Sequence, residues 1–241
     1  MDAFLYTAVS GADHSQRALA VRANNLANAQ TAGFRADLAV AEPLAVRGQG
    51  YDSRWQAAVT GTVVDQREGR LSETGRPLDV AIQGSGYFVV DAGDGMAYSR
   101  AGSFSVDEQG TLSLDGHAVQ GDGGPIVLPE YTRLDIADDG SVSILAPGAT
   151  EMEVVDRLSL VQPEAADLVK RPDGLLGSRA GIGYPRDDNV RVAAGHLEES
   201  NVSAVEEMMQ TMQLSRTFEM QMRMFRSADE MADAGNRLIR G

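Results

Sequence analysis

The 241-residue chain has no cysteine. That excludes a disulfide framework and any thiolate metal site. Its three histidines, His14, His117 and His196, are far apart, so no histidine metal centre is expected. No stretch approaches the ~20 apolar residues of a membrane span, and direct membrane insertion is not expected. Residues 1–16 have no basic n-region and no long apolar run, so they do not read as a secretory signal, and a chain that leaves the cytoplasm must use a route that reads or cleaves none. Basic charge is short as well. There are 21 Lys and Arg against 35 Asp and Glu, for a net charge of −14 and a pI near 4.6. Nucleic acids and anionic membranes are therefore poor partners.

Catalytic signatures are missing too. Gly84-Ser85-Gly86 lacks the glycine spacing of a nucleophile elbow. Asp135-Ile136-Ala137-Asp138-Asp139-Gly140 lacks the alternating ligands and closing glutamate of a calcium loop. Gly121-Asp122-Gly123-Gly124-Pro125 is followed by neither a lysine nor a helix start, so it reads as a turn and not a phosphate cradle. No catalytic, cofactor-binding or metal-ligating residue is assigned, and no cofactor is expected.

What is present is unevenly placed. Residues 1–36 sum to +1, residues 201–241 to −1, and residues 37–200 carry −14. Nearly neutral ends and an acidic middle predict packed termini and a solvated centre. In residues 3–28, Phe4, Ala8, Ala12, Ser15, Leu19, Arg22 and Leu26 recur at helical spacing, and Thr31-Ala32-Gly33 is a stop signal. From Asn201 to Ile239 there is no proline. Ser203 and Glu206 have capping-box spacing. Leu214, Phe218, Met222, Phe225, Ala232 and Ile239 form a stripe, four of them seven apart. Seven of the ten methionines fall here, on several faces, Met212 among them. A helix this long needs a partner.

Between the ends the period is two. Ser103-Phe104-Ser105-Val106 and Thr111-Leu112-Ser113-Leu114 flank Gly110 as a hairpin. Leu134 to Ile136 and Ser141 to Ile144 repeat the pattern, and Tyr87-Phe88-Val89-Val90 reads as a buried strand. The expected class is α+β: long N- and C-terminal helices pairing as a coiled-coil-like domain, with a central antiparallel β-rich domain. The expected boundaries are a helical segment 1–36, an extended connector 37–76 with at most one short strand, a β-rich domain 77–200 and a helical segment 201–241. Asn24, Asn25 and Asn28 read as a helix cap or as amides fixing the register of a helix interface.

Several of these residues form a pattern. Asn24-Asn25-Leu26-Ala27-Asn28, followed by Thr31-Ala32-Gly33-Phe34-Arg35, resembles the signature of the flagellar basal-body rod and hook family. So do Asp79 to Phe88, Tyr98-Ser99-Arg100-Ala101-Gly102-Ser103-Phe104, Asp107 to Leu112, and Gly195-His196-Leu197-Glu198-Glu199-Ser200-Asn201-Val202. The matches occur in the family's order. The length argues against the hook protein, and the middle domain against the smallest rod proteins. The opening twelve residues and Phe218-Glu219-Met220-Gln221-Met222 look most like a proximal-rod member, with a distal-rod member as the alternative. The resemblance implies a non-enzymatic structural subunit of a hollow, torque-transmitting periplasmic rod. It implies partners in self and other rod proteins, and passage through the flagellar type III export apparatus without a cleaved signal peptide. Its assembly interface would include Leu19, Asn24, Asn25, Leu26, Asn28, Phe34, Asn201, Val202, Met212, Phe218, Met222, Phe225 and Ile239. The rival from another class is a secreted β domain with an enzymatic or ligand-binding role.

Overall fold

The computed structural model describes residues 2–45 and 55–240. The chain divides into two compact units. The first holds the helices α1 (Asp2–Ala27) and α2 (Ala204–Arg240), and a two-stranded sheet of β1 (Asp37–Ala45) and β2 (Trp55–Val64).

The second unit comprises Asn28–Ala36 and Val64–Val202. It opens with β3 (Leu71–Glu73), β4 (Val80–Gln83), β5 (Tyr87–Asp91) and β6 (Met96–Ser99). The run β7 (Phe104–Val106), β8 (Leu112–Leu114) and β9 (His117–Val119) follows. Then come β10 (Arg133–Ile136), β11 (Ser141–Leu145), β12 (Glu153–Arg157) and β13 (Leu160–Val161). The last four are β14 (Leu168–Lys170), β15 (Leu176–Ser178), β16 (Arg191–Ala194) and β17 (His196–Glu198). An eight-stranded sheet runs β14-β15-β6-β5-β9-β8-β7, with β13 paired to β5; β10-β11-β12 form a separate sheet. Two small ladders, β16-β4 and β17-β3, join the end of the unit to its beginning.

Alternation explains the core. In β8, Leu112 and Leu114 are buried on either side of Ser113, and in β11 Val142 and Ile144 are buried between half-buried neighbours. Phe88 meets Phe104 edge to face at 5.1 Å. Phe104 pairs with Leu114 across the predicted hairpin, whose Gly110 takes φ of 85°.

The expected α+β class with coiled-coil-like helix pairing is corrected. The described residues hold seventeen strands and only two α-helices, one at each end, so the chain is mostly β. The central β-rich domain fits. Within the stretch expected as an extended connector lie the two longest strands among the described residues, β1 and β2, despite Pro43 and Gly61. Coiled coils require an apolar seam. Within the first unit, the side-chain bonds between the helices are instead polar: Ser15 Oγ to Gln221 Oε1 at 3.3 Å and Arg22 Nη1 to Glu207 Oε1 at 2.8 Å. Among the described residues, Ala18 and Ala228 are the only buried hydrophobics on the two helices.

Candidate assembly surfaces and the clamp at Asn201

α2 starts where its cap signal lies. The Glu206 N–H donates to Ser203 Oγ at 3.4 Å and the Glu207 N–H to the Ser203 carbonyl at 2.9 Å. Glu206 then accepts from Gln210 Nε2 at 3.2 Å, one turn on. Along the helix, Val205, Met209, Met212 and Met231 are at least 60% exposed and Leu238 is 85% exposed. Met222 is also exposed, and Phe218 and Phe225 are half-buried. The side chains of Ala232 and Ile239 lie outside the described residues, as do those of Phe4 and Ala8. An apolar array of this size on one helix exceeds the scattered hydrophobics of an ordinary surface.

At the end of α1 the asparagines separate. Asn24 is exposed, and Leu19, Leu26 and Asn28 are half-buried. Asn25 is fully buried. Its Nδ2 donates to the Asp37 carbonyl and its Oδ1 accepts from the Asp37 N–H, both at 2.9 Å. The amide thus mimics a strand partner for the first residue of β1. We expect Asn25→Ala to destabilise the first unit by about 1–3 kcal/mol, because both Asp37 backbone groups lose their partner. Asn25→Asp keeps one acceptor but loses the donor and should be no better. Chemical denaturation followed by helix ellipticity measures both.

In the second unit, residues far apart in sequence converge. Asn201 Oδ1 accepts from the Ala36 N–H at 2.8 Å, while Nδ2 donates to the carbonyls of Asp65 at 3.3 Å and Arg67 at 2.9 Å. The Asn201 N–H reaches the Phe34 carbonyl at 3.2 Å, and Val202 is half-buried beside it in sequence. Phe34, also half-buried, lies under the Lys170 ammonium, 3.7 Å from the ring centroid.

Beneath this clamp lies a buried ion triad. Glu198 is 2% exposed and receives Arg35 Nη2 at 2.7 Å and Arg100 Nη1 at 3.0 Å. Its Oε1 also accepts the Gly69 N–H at 2.8 Å. Arg100 reaches the carbonyls of Ile82 and Gly84 and stacks over Tyr87, 5.4 Å from the ring centre. Burial pushes the Arg100 guanidinium below its ordinary value, opposed by the Glu198 charge. Burial likewise raises the Tyr87 hydroxyl, against a hydrogen bond to Gln66 Oε1 at 2.8 Å. No local pattern announced Arg35, Arg100 and Glu198 as a group. Each nonetheless sits inside one of the quoted motifs: Thr31 to Arg35, Tyr98 to Phe104, and Gly195 to Val202.

Comparison with known proteins matches the same regions. The model "Flagella basal body rod protein" covers residues 5–35, "Flagellar hook protein FlgE/F/G D1 domain" covers 81–144, and "Flagellar basal body rod FlgEFG protein C-terminal" covers 193–238. The chain is 40% identical to the flagellar basal-body rod protein FlgF of Salmonella typhimurium, over 99% of both chains. It is 38% identical to FlgF of Escherichia coli, again over 99% of both. The rod protein FlgG of Bacillus subtilis is 30% identical over 94% of this chain and 95% of its own. With such identity along almost its whole length, the chain belongs to the flagellar basal-body rod protein family, and FlgF fits it better than FlgG.

Proposed function

We propose that the chain is a non-enzymatic structural subunit of the flagellar basal-body rod, assembling with itself and other rod proteins through its two terminal helices. The observation that carries this reading is the apolar array left exposed along α2, in a chain similar end to end to rod proteins. Burial of such methionines against neighbours supplies free energy in proportion to the area covered, and their flexible side chains fit irregular partners. The interface includes the exposed Met212 and Met222 with Phe218 and Phe225 on α2, and the half-buried Leu19 and Leu26 on α1. A proximal position in a periplasmic, torque-transmitting rod and delivery by the flagellar export apparatus belong to the same proposal.

A strain lacking the gene should be non-motile and regain swimming with the wild-type copy. Met209→Asp/Met212→Asp should fail to restore it. Both side chains are 60% exposed, so the substitutions cost the free chain little. In an assembly they would bury two unpaired charges. Swimming-plate diameter and circular dichroism of the purified variant test this together. Full motility of the double variant, or of the deletion strain, would sink the proposal.

A further inference from the structure

The second unit holds a small cavity beside the ion triad, about 30 Å³ in volume. Arg35, Arg100 and Lys170 line it, and none of the lining residues is an acid. Phe34 and Leu176 give it an apolar wall, and Ser99 adds a hydroxyl. The volume is twice the ~10–15 Å³ that one water molecule needs. The cavity therefore admits one atom of water size or slightly more, and excludes sulfate, phosphate or a carboxylate.

The two guanidinium groups keep donors that the protein does not use. Arg35 directs Nη1 to the Gln66 carbonyl at 3.4 Å and Nη2 to Glu198. Arg100 directs Nη1 to Glu198 and the Ile82 carbonyl, and Nη2 to the Gly84 carbonyl. Each residue is less than 5% exposed, and the buried Nε–H of each has no acceptor among the described residues. Charge is unmatched as well. Arg35 and Arg100 share one carboxylate, Glu198, which leaves one positive charge in excess. Two further acids act on them, but Asp65 is already held by Arg67 at 2.7 Å and Glu68 is exposed. A water would satisfy the donors and bring no charge, whereas an anion does both.

We propose that this cavity binds a monatomic anion, chloride, held by the Nε–H groups of Arg35 and Arg100. The ion offsets the excess charge and ties the segment 28–36, through Arg35, to Arg100 at the end of β6. Lys170, whose Nζ donates to the Arg35 carbonyl at 2.9 Å, adds positive potential from the cavity wall. The inference rests on the second unit alone and stands independently of the rod reading.

The test melts the full chain at a constant ionic strength of about 0.15 M, with sodium gluconate replaced stepwise by sodium chloride. Gluconate is too large for the cavity. The midpoint of the second unit should rise saturably, by roughly 5–10 °C at a hundredfold excess over the dissociation constant. Bromide should act as chloride does. Arg35→Lys keeps the charge but lacks the Nε–H donor, and should lose most of the rise whatever its midpoint in gluconate. Lys170→Gln should weaken chloride binding about tenfold. The control Arg133→Gln, which removes an exposed base outside the cavity lining, should respond like wild type. Crystals of the wild-type chain grown in bromide should show an anomalous peak within hydrogen-bond reach of both Nε atoms. No saturable rise in the wild-type chain, or an undiminished rise in either Arg35→Lys or Lys170→Gln, would overturn the proposal and leave water as the occupant. A bromide peak found only elsewhere would overturn it too.

Discussion

Glu198→Gln should lower the melting temperature of the second unit by something near 10 °C. Arg35 and Arg100 are each less than 5% exposed, and Glu198 is the carboxylate they share. Glutamine retains the size and can still accept the Gly69 N–H, but it removes the negative charge. Two buried guanidinium groups then face each other without compensation. Breaking a buried ion pair from one side costs about 3–5 kcal/mol, and for a domain of this size each kcal/mol moves the midpoint by about 2–4 °C. Glu198→Ala should cost more, because the Gly69 N–H also loses its acceptor. Replacing all three residues with leucine or methionine should recover most of the loss, since packed apolar groups of similar volume often replace a buried ion group without penalty. Differential scanning calorimetry of the three variants separates these outcomes. A Glu198→Gln midpoint within 2 °C of wild type would contradict a charged, desolvated triad.

Gly33→Ala should detach the segment 28–36 from the second unit. Two costs add there. Gly33 has φ of 68°, the left-handed region, which costs an L side chain roughly 1–2 kcal/mol. In addition, a Cβ at this position would overlap the backbone at Arg100 and Ala101. Backbone atoms yield only by moving the chain, and the movement would pull the Gly33 N–H off the Glu198 carbonyl, now 2.7 Å away, and Arg35 off the Glu198 carboxylate. Amide hydrogen exchange should rise strongly at Gly33, Phe34 and Ala36 and much less in β5 and β9. Gly61→Ala is the control: Gly61 has φ of 155°, but nothing lies near its absent side chain. Unchanged protection at 33–36 in Gly33→Ala would remove the steric argument.

The strands of the middle were legible where their side chains alternate. Phe104 to Leu114 and Leu134 to Ile144 each place one face in the core, and each turns at a glycine with positive φ, Gly110 and Gly140. The start of α2 was legible because Ser203 offers its hydroxyl at the required spacing. β1 and β2 were not. Asp37 to Ala45 holds three alanines and Pro43, and neither residue type favours a strand on its own. The pairing of the helices was misjudged because a seven-residue repeat reports period alone. It says nothing of whether the partner presents leucines or, as α1 does, Gly11 and Ser15 opposite Gln221. The clamp and triad escaped for another reason. Their members are separated by up to 167 positions, from Phe34 to Asn201, and each is locally ordinary. Asn25 was singled out with its neighbours, but only the fold distinguishes the one amide that turns inward to Asp37.

Asn201 has a consequence for how the chain can vary in length. Its side-chain amide lies 3.3 Å from the Asp65 carbonyl, so the long stretch between these residues leaves and returns at one point. A segment with adjoining ends behaves as a cassette. Its interior can gain or lose a hairpin at an exposed turn, such as the one at Gly148, while the span between its attachment points stays fixed. Diversification of the middle and constancy of the two ends are thereby uncoupled, and the same junction marks where a foreign domain could be grafted in its place.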